Sequence, residues 1–350
     1  MIKGPSNMSN PCIGRCDYCK SENVALYDID ARTDLSEMLN GLVDNFRLAS
    51  ELPEDFPTDK VGFLGELLTT NWKIFNKELG YKTIIDLLAS ICSDRFKCSP
   101  ELFSEPVGIP EMGDENFRLE KSLLKNSEWD DFLDSIKTRL RFHSDHVNEA
   151  VLLGFLKYTE YKLPKDSVFY RSRLWKDGHG FGKNELGAPP AVRAGAGRVN
   201  PEGISVLYLS DDIKTTLYEI RARLYDCVSV GKFMAKRDLK LINLTLLDEI
   251  SPFALNMDYL VYAVNIGHLR RISEEISTPV RNESTLDYLP TQYISDYIKS
   301  RGYDGIVYRS AMQHDSLNLA IFDESSFVCK SVSNYEVNSL DYSYKRLQKS

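Results

Sequence analysis

The chain has 350 residues, 43% of them hydrophobic, and a formal net charge of −8. That length suffices for two cores of ordinary size, and the acidic balance excludes a general polynucleotide or anionic-membrane binder, because counterion release needs a broad basic surface. Seven cysteines are too sparse for a disulfide framework, and no apolar run approaches the roughly 20 residues that span a bilayer, so the expected location is cytoplasmic, with no membrane partner.

Residues 1–30 hold Cys12, Cys16 and Cys19 beside a short β-like run, NVALYDI. Cys16 and Cys19 have the spacing of a metal knuckle and Cys12 supplies a third thiol, so a structural zinc site is one reading; Cys92, Cys98 or a histidine is left to complete it. Reduced free thiols are the other reading. From 31 to 163 the pattern is helical: DLSEMLNGLVDNFRLA, KVGFLGELLTTNWKIFNKEL and TIIDLLASICS repeat apolar residues at three and four, with prolines between the segments. Arg141 and His146 in RFHSDH have the spacing of an Arg–His ribonuclease pair, in which arginine binds the scissile phosphate and histidine acts as acid or base. An Arg and a His on the exposed side of a helix end would look the same.

After Pro164 short β-branched and aromatic runs alternate with single helices. DSVFYRSRL, ISVLYLS, CVSVGKF, LKLINLT, GIVYRSA and NLAIFD are the expected strands, DIKTTLYEIRARLY and PTQYISDYIKSRG the expected helices. The fold class is therefore α+β: a mainly helical N-terminal domain, then a mixed α/β domain over 164–335, with residues 336–350 as a loosely ordered tail.

Between Arg171 and Asn200 six Lys or Arg face two acidic residues, a local +4 within an acidic chain. Such an island suits a phosphate-bearing small molecule, since guanidinium forks pair bidentately with phosphate oxygens. In a strand Arg171 and Arg173 share one face and Tyr170 the other. The loop GAPPAVRAGAGRVNPEG that follows is stiffened by prolines, and Gly195, Gly197 and Gly203 allow backbone N–H groups to approach a ligand. The helix after it would bury Ile213, Leu217, Ile220 and Leu224, leaving Glu219 about 130° from that face at 100° per residue, where a glutamate is ordinarily solvated.

Taken together, YRSR, GAGRVNPEGISVLYLS, TTLYEI and PTQYISDYIKSRGYDGIVYRSA, in that order across about 165–330, resemble the RES domain, named for its Arg, Glu and Ser. That family is known for toxins of bacterial toxin–antitoxin pairs that consume NAD, with a fold similar to ADP-ribosyltransferases. The resemblance implies NAD as substrate, with Glu219, Arg171 and Ser310 as the catalytic group. It implies that Glu219 stabilises the oxocarbenium-like ribose, that Arg171 and Arg198 hold the pyrophosphate, that Tyr208 or Tyr170 stacks on a ring, and that Ser310 orients the nicotinamide or its ribose. Arg173 and Asn200 complete the NAD-binding candidates. Ser316 is an alternative to Ser310, and Arg198, Asn200 and Tyr208 have turn or core roles as their alternatives. GRCDYCKSENVALYDI and WDDFLDSIKTRLRF resemble, more loosely, the HEPN/RES amino-terminal domain. The implied protein is an NAD-consuming toxin or defence effector, restrained by a small antitoxin or immunity protein or by its own helical half, with a homodimer as a further expectation. Its rivals are a HEPN-type ribonuclease with an accessory RES domain, and a non-catalytic module that binds NAD or ADP-ribose.

Overall fold

Helices and strands are mixed throughout the computed structural model, which describes residues 12–18, 20–26, 34–75, 79–141, 145–176, 178–278, 285–313 and 316–341. The chain divides into two units: Met1–Phe132, His143–Gly154 and Asp248–Arg270 form the first, and Leu133–Phe142, Phe155–Leu247 and Arg271–Ser350 the second.

In the first unit an antiparallel pair, β1 (Cys12–Gly14) and β2 (Val24–Leu26), precedes α1 (Asp34–Val43). Next come β3 (Arg47–Leu48), β4 (Gly62–Phe63), α2 (Leu64–Thr70), α3 (Tyr81–Ile91), α4 (Ser93–Cys98), β5 (Pro106–Gly108) and α5 (Glu115–Lys121). The expected periodicity is real: α1 buries Leu35, Leu39 and Leu42, and α3 buries Ile84, Leu87, Leu88 and Ile91. The small sheet ordered β3-β5-β4 was not expected from the sequence, because strands of two or three residues are too short to show alternation. The segment Asp248–Arg270 also packs here: Trp72 stacks at a tilt between Phe46 and Tyr262, and buried Asn265 accepts from the Leu123 N–H at 2.6 Å while donating to the Lys121 and Val261 carbonyls.

The zinc reading falls largely outside the described residues, which include neither Cys19 nor the side chain of Cys12. Among the described residues Cys16 is a free thiol and no cluster of three His, Cys, Asp or Glu side chains could hold a metal. Burial, with Asp44 nearby, pushes the Cys92 thiol up to about 12.

Helices α6 (Trp129–Asp134) and α7 (Glu149–Lys157) lead to the second unit, whose sheet has, among the described residues, eight strands: β6 (Glu160–Leu163), β7 (Val168–Trp175), β8 (Leu207–Ser210), β9 (Cys227–Ala235), β10 (Leu239–Asn243), β11 (Gly305–Arg309), β12 (Leu317–Ile321) and β13 (Phe327–Glu336). Helix α8 (Ile213–Glu219) follows β8, and α9 (Tyr259–Ser277) and α10 (Leu289–Ser300) fill the crossover between β10 and β11, the parallel pair in a sheet otherwise antiparallel. The spatial order is β13-β9-β7-β8-β12-β11-β10-β6. Alternation sorts the faces: Leu207, Leu209, Phe233, Ala235, Leu319 and Ile321 share one core, while Val228 and Val230 pack with Ile213, Leu217 and Ile220 of α8 and its cap.

Helix α8 is shorter than its sequence pattern. It stops at Glu219 because Arg221 and Tyr225 adopt left-handed φ of 51° and 66°, and Leu224, expected on the buried face, is exposed. Residues 336–341, expected within a loosely ordered tail, are held against the second unit. Val337 is buried and exchanges backbone hydrogen bonds with Asp226 and Tyr225, and Leu340 packs nearby; residues 342–350 lie outside the described residues.

Candidate functional site

The sheet of the second unit is interrupted at one seam. β7 pairs with β9 along its whole length, from Val168↔Met234 to Trp175↔Cys227, but among the described residues it meets β8 only at Tyr170↔Ser210. Away from that single rung the strands diverge, their facing backbone groups lose ladder partners, and a cleft of about 300 Å³ opens, at the small end of the range for ligand sites. Tyr170, Arg171, Tyr208, Arg198, Glu219, Arg221, Tyr288, Tyr308 and Asn318 are among the residues lining it.

Arg171 answers the divergence directly. Its Nη1 donates to the Tyr208 carbonyl at 3.0 Å, occupying an acceptor the seam has freed. Burial, then the charge of Arg173, lowers the Arg171 pKa from its ordinary value, and among the described residues no carboxylate forms an ion pair with Arg171 or Arg198. Two guanidiniums without carboxylate partners make the cleft receptive to an anion.

The loop before β8 is tied to itself. Asn200 Nδ2 reaches the carbonyls of Gly195, Pro201 and Ile204, and its Oδ1 accepts from the Tyr208 hydroxyl at 2.6 Å. That hydroxyl accepts in turn from the Val199 N–H at 3.1 Å. At the start of α10, Thr291 donates to the Arg198 carbonyl and Gln292 Nε2 to those of Gly197 and Asn200. The N–H of Gly197 is used by the Asn200 carbonyl and that of Gly203 by Ala194, so these two glycines do not offer amides to a ligand as the composition suggested. Close approach explains Gly197 instead, since a Cβ there would meet Asn200 Oδ1 and the Tyr208 hydroxyl at 2.8 Å each. The loop's contribution to the cleft is Arg198, whose guanidinium donates to the Ile276 and Thr278 carbonyls.

Glu219 is the last residue of α8, and although the helical period directs it away from the buried face, the cleft lies on that side. Its Oε1 accepts from Ser310 Oγ and from Asn318 Nδ2, both at 2.7 Å. Among the described residues Ser316 forms no such contact; its carbonyl accepts from the Ser310 N–H and its N–H donates to the Gln313 carbonyl. Burial pushes the Tyr208 phenol up to about 12 and raises that of Tyr308 well above its ordinary value, so both are neutral donors at physiological pH.

The structure thus brings Tyr170, Arg171, Arg198, Tyr208, Glu219 and Ser310 together. It does not bring in Arg173 or Asn200. Arg173 donates to the Glu185 carbonyl at 2.7 Å with its guanidinium 4.9 Å from the Phe181 ring centroid, and Asn200 is spent inside the loop. Asn318, Tyr308, Tyr288 and Arg221 were not read from the sequence; the available signal was an asparagine inside the apolar run NLAIFD. Arg141 is exposed and falls in the second unit, whereas His146, in the first, shares a 2.7 Å hydrogen bond with Ser127.

A sequence profile described as the RES domain matches residues 170–344, half of the chain. This chain belongs to the RES-domain family. A search of curated proteins finds no match to the RES-domain chain. Among solved structures, one similar chain comes from the crystal structure of the M. tuberculosis MbcT–MbcA toxin–antitoxin complex, at 13% identity, covering 53% of this chain and 91% of that one with a TM-score of 0.33.

Proposed function

We propose that this RES-domain protein cleaves the nicotinamide–ribose bond of NAD and acts as a toxin or defence effector held in check by a small partner protein. The observation that carries the reading is a carboxylate, Glu219, fixed through one oxygen by Ser310 and Asn318, in the same cleft as the guanidiniums of Arg171 and Arg198. The interrupted sheet supports an ADP-ribosyltransferase-like arrangement, with the dinucleotide at the seam.

The chemistry asks little else of the protein. As the C1′–N bond breaks, its electron pair leaves with neutral nicotinamide and positive charge develops on the ribose, where a fixed carboxylate lowers the barrier. Arg171 and Arg198 pair with the pyrophosphate, restraining the substrate while the leaving group departs. The oxygen of an acceptor then adds at C1′ and releases its proton to solvent. Water, inorganic phosphate or an acceptor side chain each satisfies that step.

The test is nicotinamide release from NAD by the purified full chain, with and without inorganic phosphate, beside Glu219→Gln. The variant keeps the shape and removes the charge, and release should fall about 100-fold or more. Release undiminished in Glu219→Gln refutes the assignment.

A further inference from the structure

On the reading that Glu219 faces the ribose, the geometry points to Asn318 as a positioning residue that fixes the carboxylate, with Ser210 as the group that sets its amide. Asn318 Nδ2 donates to Glu219 Oε1 at 2.7 Å, and Asn318 Oδ1 accepts from Ser210 Oγ at 2.6 Å. An asparagine amide is nearly symmetric in shape, and the reversed orientation would set its oxygen against the carboxylate. The Ser210 hydroxyl removes that alternative by giving the oxygen a donor. Both side chains are buried, 3% and 4% exposed, so neither exchanges these partners for water.

The sheet holds the pair in place. Asn318 on β12 lies directly opposite Ser210 on β8, and Ser210 is also the residue through which β8 meets Tyr170 of β7. Directly opposed residues project from the same face with their Cβ atoms about 5 Å apart, which is the reach of a serine–asparagine contact. The relay therefore stands on the rung that joins three neighbouring strands at the seam. Ser310 completes the grip from a turn: its Oγ accepts from the Met312 and Gln313 N–H groups at 3.2 Å each, which directs its proton to Glu219. Both donors land on Oε1, so the carboxylate cannot rotate freely, and among the described residues Oε2 keeps its full accepting capacity for the ribose hydroxyls.

The test measures kcat and KM for nicotinamide release by the full chain and by Asn318→Ala, Asn318→Asp and Ser210→Ala, with melting temperature as the measure of folding. A positioning role predicts that Asn318→Ala lowers kcat about 30-fold with KM changed less than about threefold, the loss of one charge-assisted hydrogen bond felt at the reacting centre. Asn318→Asp should be worse than alanine, because a second carboxylate repels Glu219; a role in shape alone predicts the reverse, since aspartate is isosteric. Ser210→Ala should lower kcat about fivefold without touching Glu219, and it keeps the question answerable where an Asn318 variant fails to fold. Turnover by the parent with kcat unchanged in folded Ser210→Ala and Asn318→Asp overturns the positioning role alone. An absence of turnover in the parent overturns the NAD reading and the positioning role with it.

Discussion

Replacing Tyr208 with phenylalanine separates two accounts of that ring. If it serves as a stacking platform, phenylalanine keeps the π-face and little changes. The structure instead makes the hydroxyl a latch, since it donates to Asn200 Oδ1 at 2.6 Å and accepts from the Val199 N–H at 3.1 Å, with Asn200 and Val199 only 4% and 3% exposed. Removing it leaves one buried acceptor and one buried donor without these partners, at about 1–3 kcal/mol each before relaxation, so a loss of about 2–4 kcal/mol is expected. Native-state hydrogen exchange of the slowest β9 amides reports on the second unit specifically, and they should exchange about 30-fold faster or more, since 1.4 kcal/mol is a factor of ten. Arg198 lies next to Val199 in the loosened loop, so on the proposed NAD-cleaving function KM for NAD should rise about tenfold with a smaller change in kcat. A stability change below about 0.5 kcal/mol with unchanged KM would refute the latch and restore the platform.

Gly197→Ala should act on the same latch, since its Cβ would sit 2.8 Å from both Asn200 Oδ1 and the Tyr208 hydroxyl. A melting temperature lower by about 5 °C is expected, and an unchanged melt would mean that the loop accommodates the methyl group at no cost. In the first unit, burial and then the charges of Lys60 and Arg118 push His268 down from 6.5 to about 4. Between those values the unfolded chain takes up a proton that the folded chain refuses, so His268 costs stability as pH falls from about 6.5 to about 4, by at most about 3 kcal/mol. Urea unfolding at pH 7 and pH 4.5 should show a smaller decline in His268→Gln than in the parent; equal declines would exclude the histidine as the cause.

What could be read in advance was whatever repeats along the chain. The strands around FYRSRL, VLYLS, CVSVGKF and LKLIN carry β-branched and aromatic alternation, and they form β7 to β10 within a few residues of the expected ends. The early stop of α8 could not be read, because Arg221 and Tyr225 take left-handed φ without the glycine that usually marks it. For the cleft, charge was legible and geometry was not. Composition marked an island of six Lys or Arg as suited to phosphate and the family resemblance picked Arg171 and Arg198 from it, but the alternation that puts Arg173 on the Arg171 face says nothing of the Glu185 carbonyl that takes it away. Glu219 looked solvated by its helical angle because a helical wheel has no knowledge of a seam in the neighbouring sheet. Asn318 and Tyr308 sit in strands that read as core, and which side of a core strand opens to a ligand depends on partners far away in sequence.

The assignment of Asp248–Arg270 to the first unit has a practical consequence for how the protein can be dissected. A cut near Lys165 looks like a natural place to release the RES half. It would also keep Tyr262, 1% exposed, and Asn265, 0% exposed, while discarding Trp72, Lys121 and Leu123, which they touch. The excised piece would carry an orphaned apolar face and unmet amide groups, and its sluggish folding or precipitation would be mistaken for a catalytic defect. The two halves of this polypeptide are woven from alternating lengths of one thread, so function is better apportioned by point substitution than by scissors.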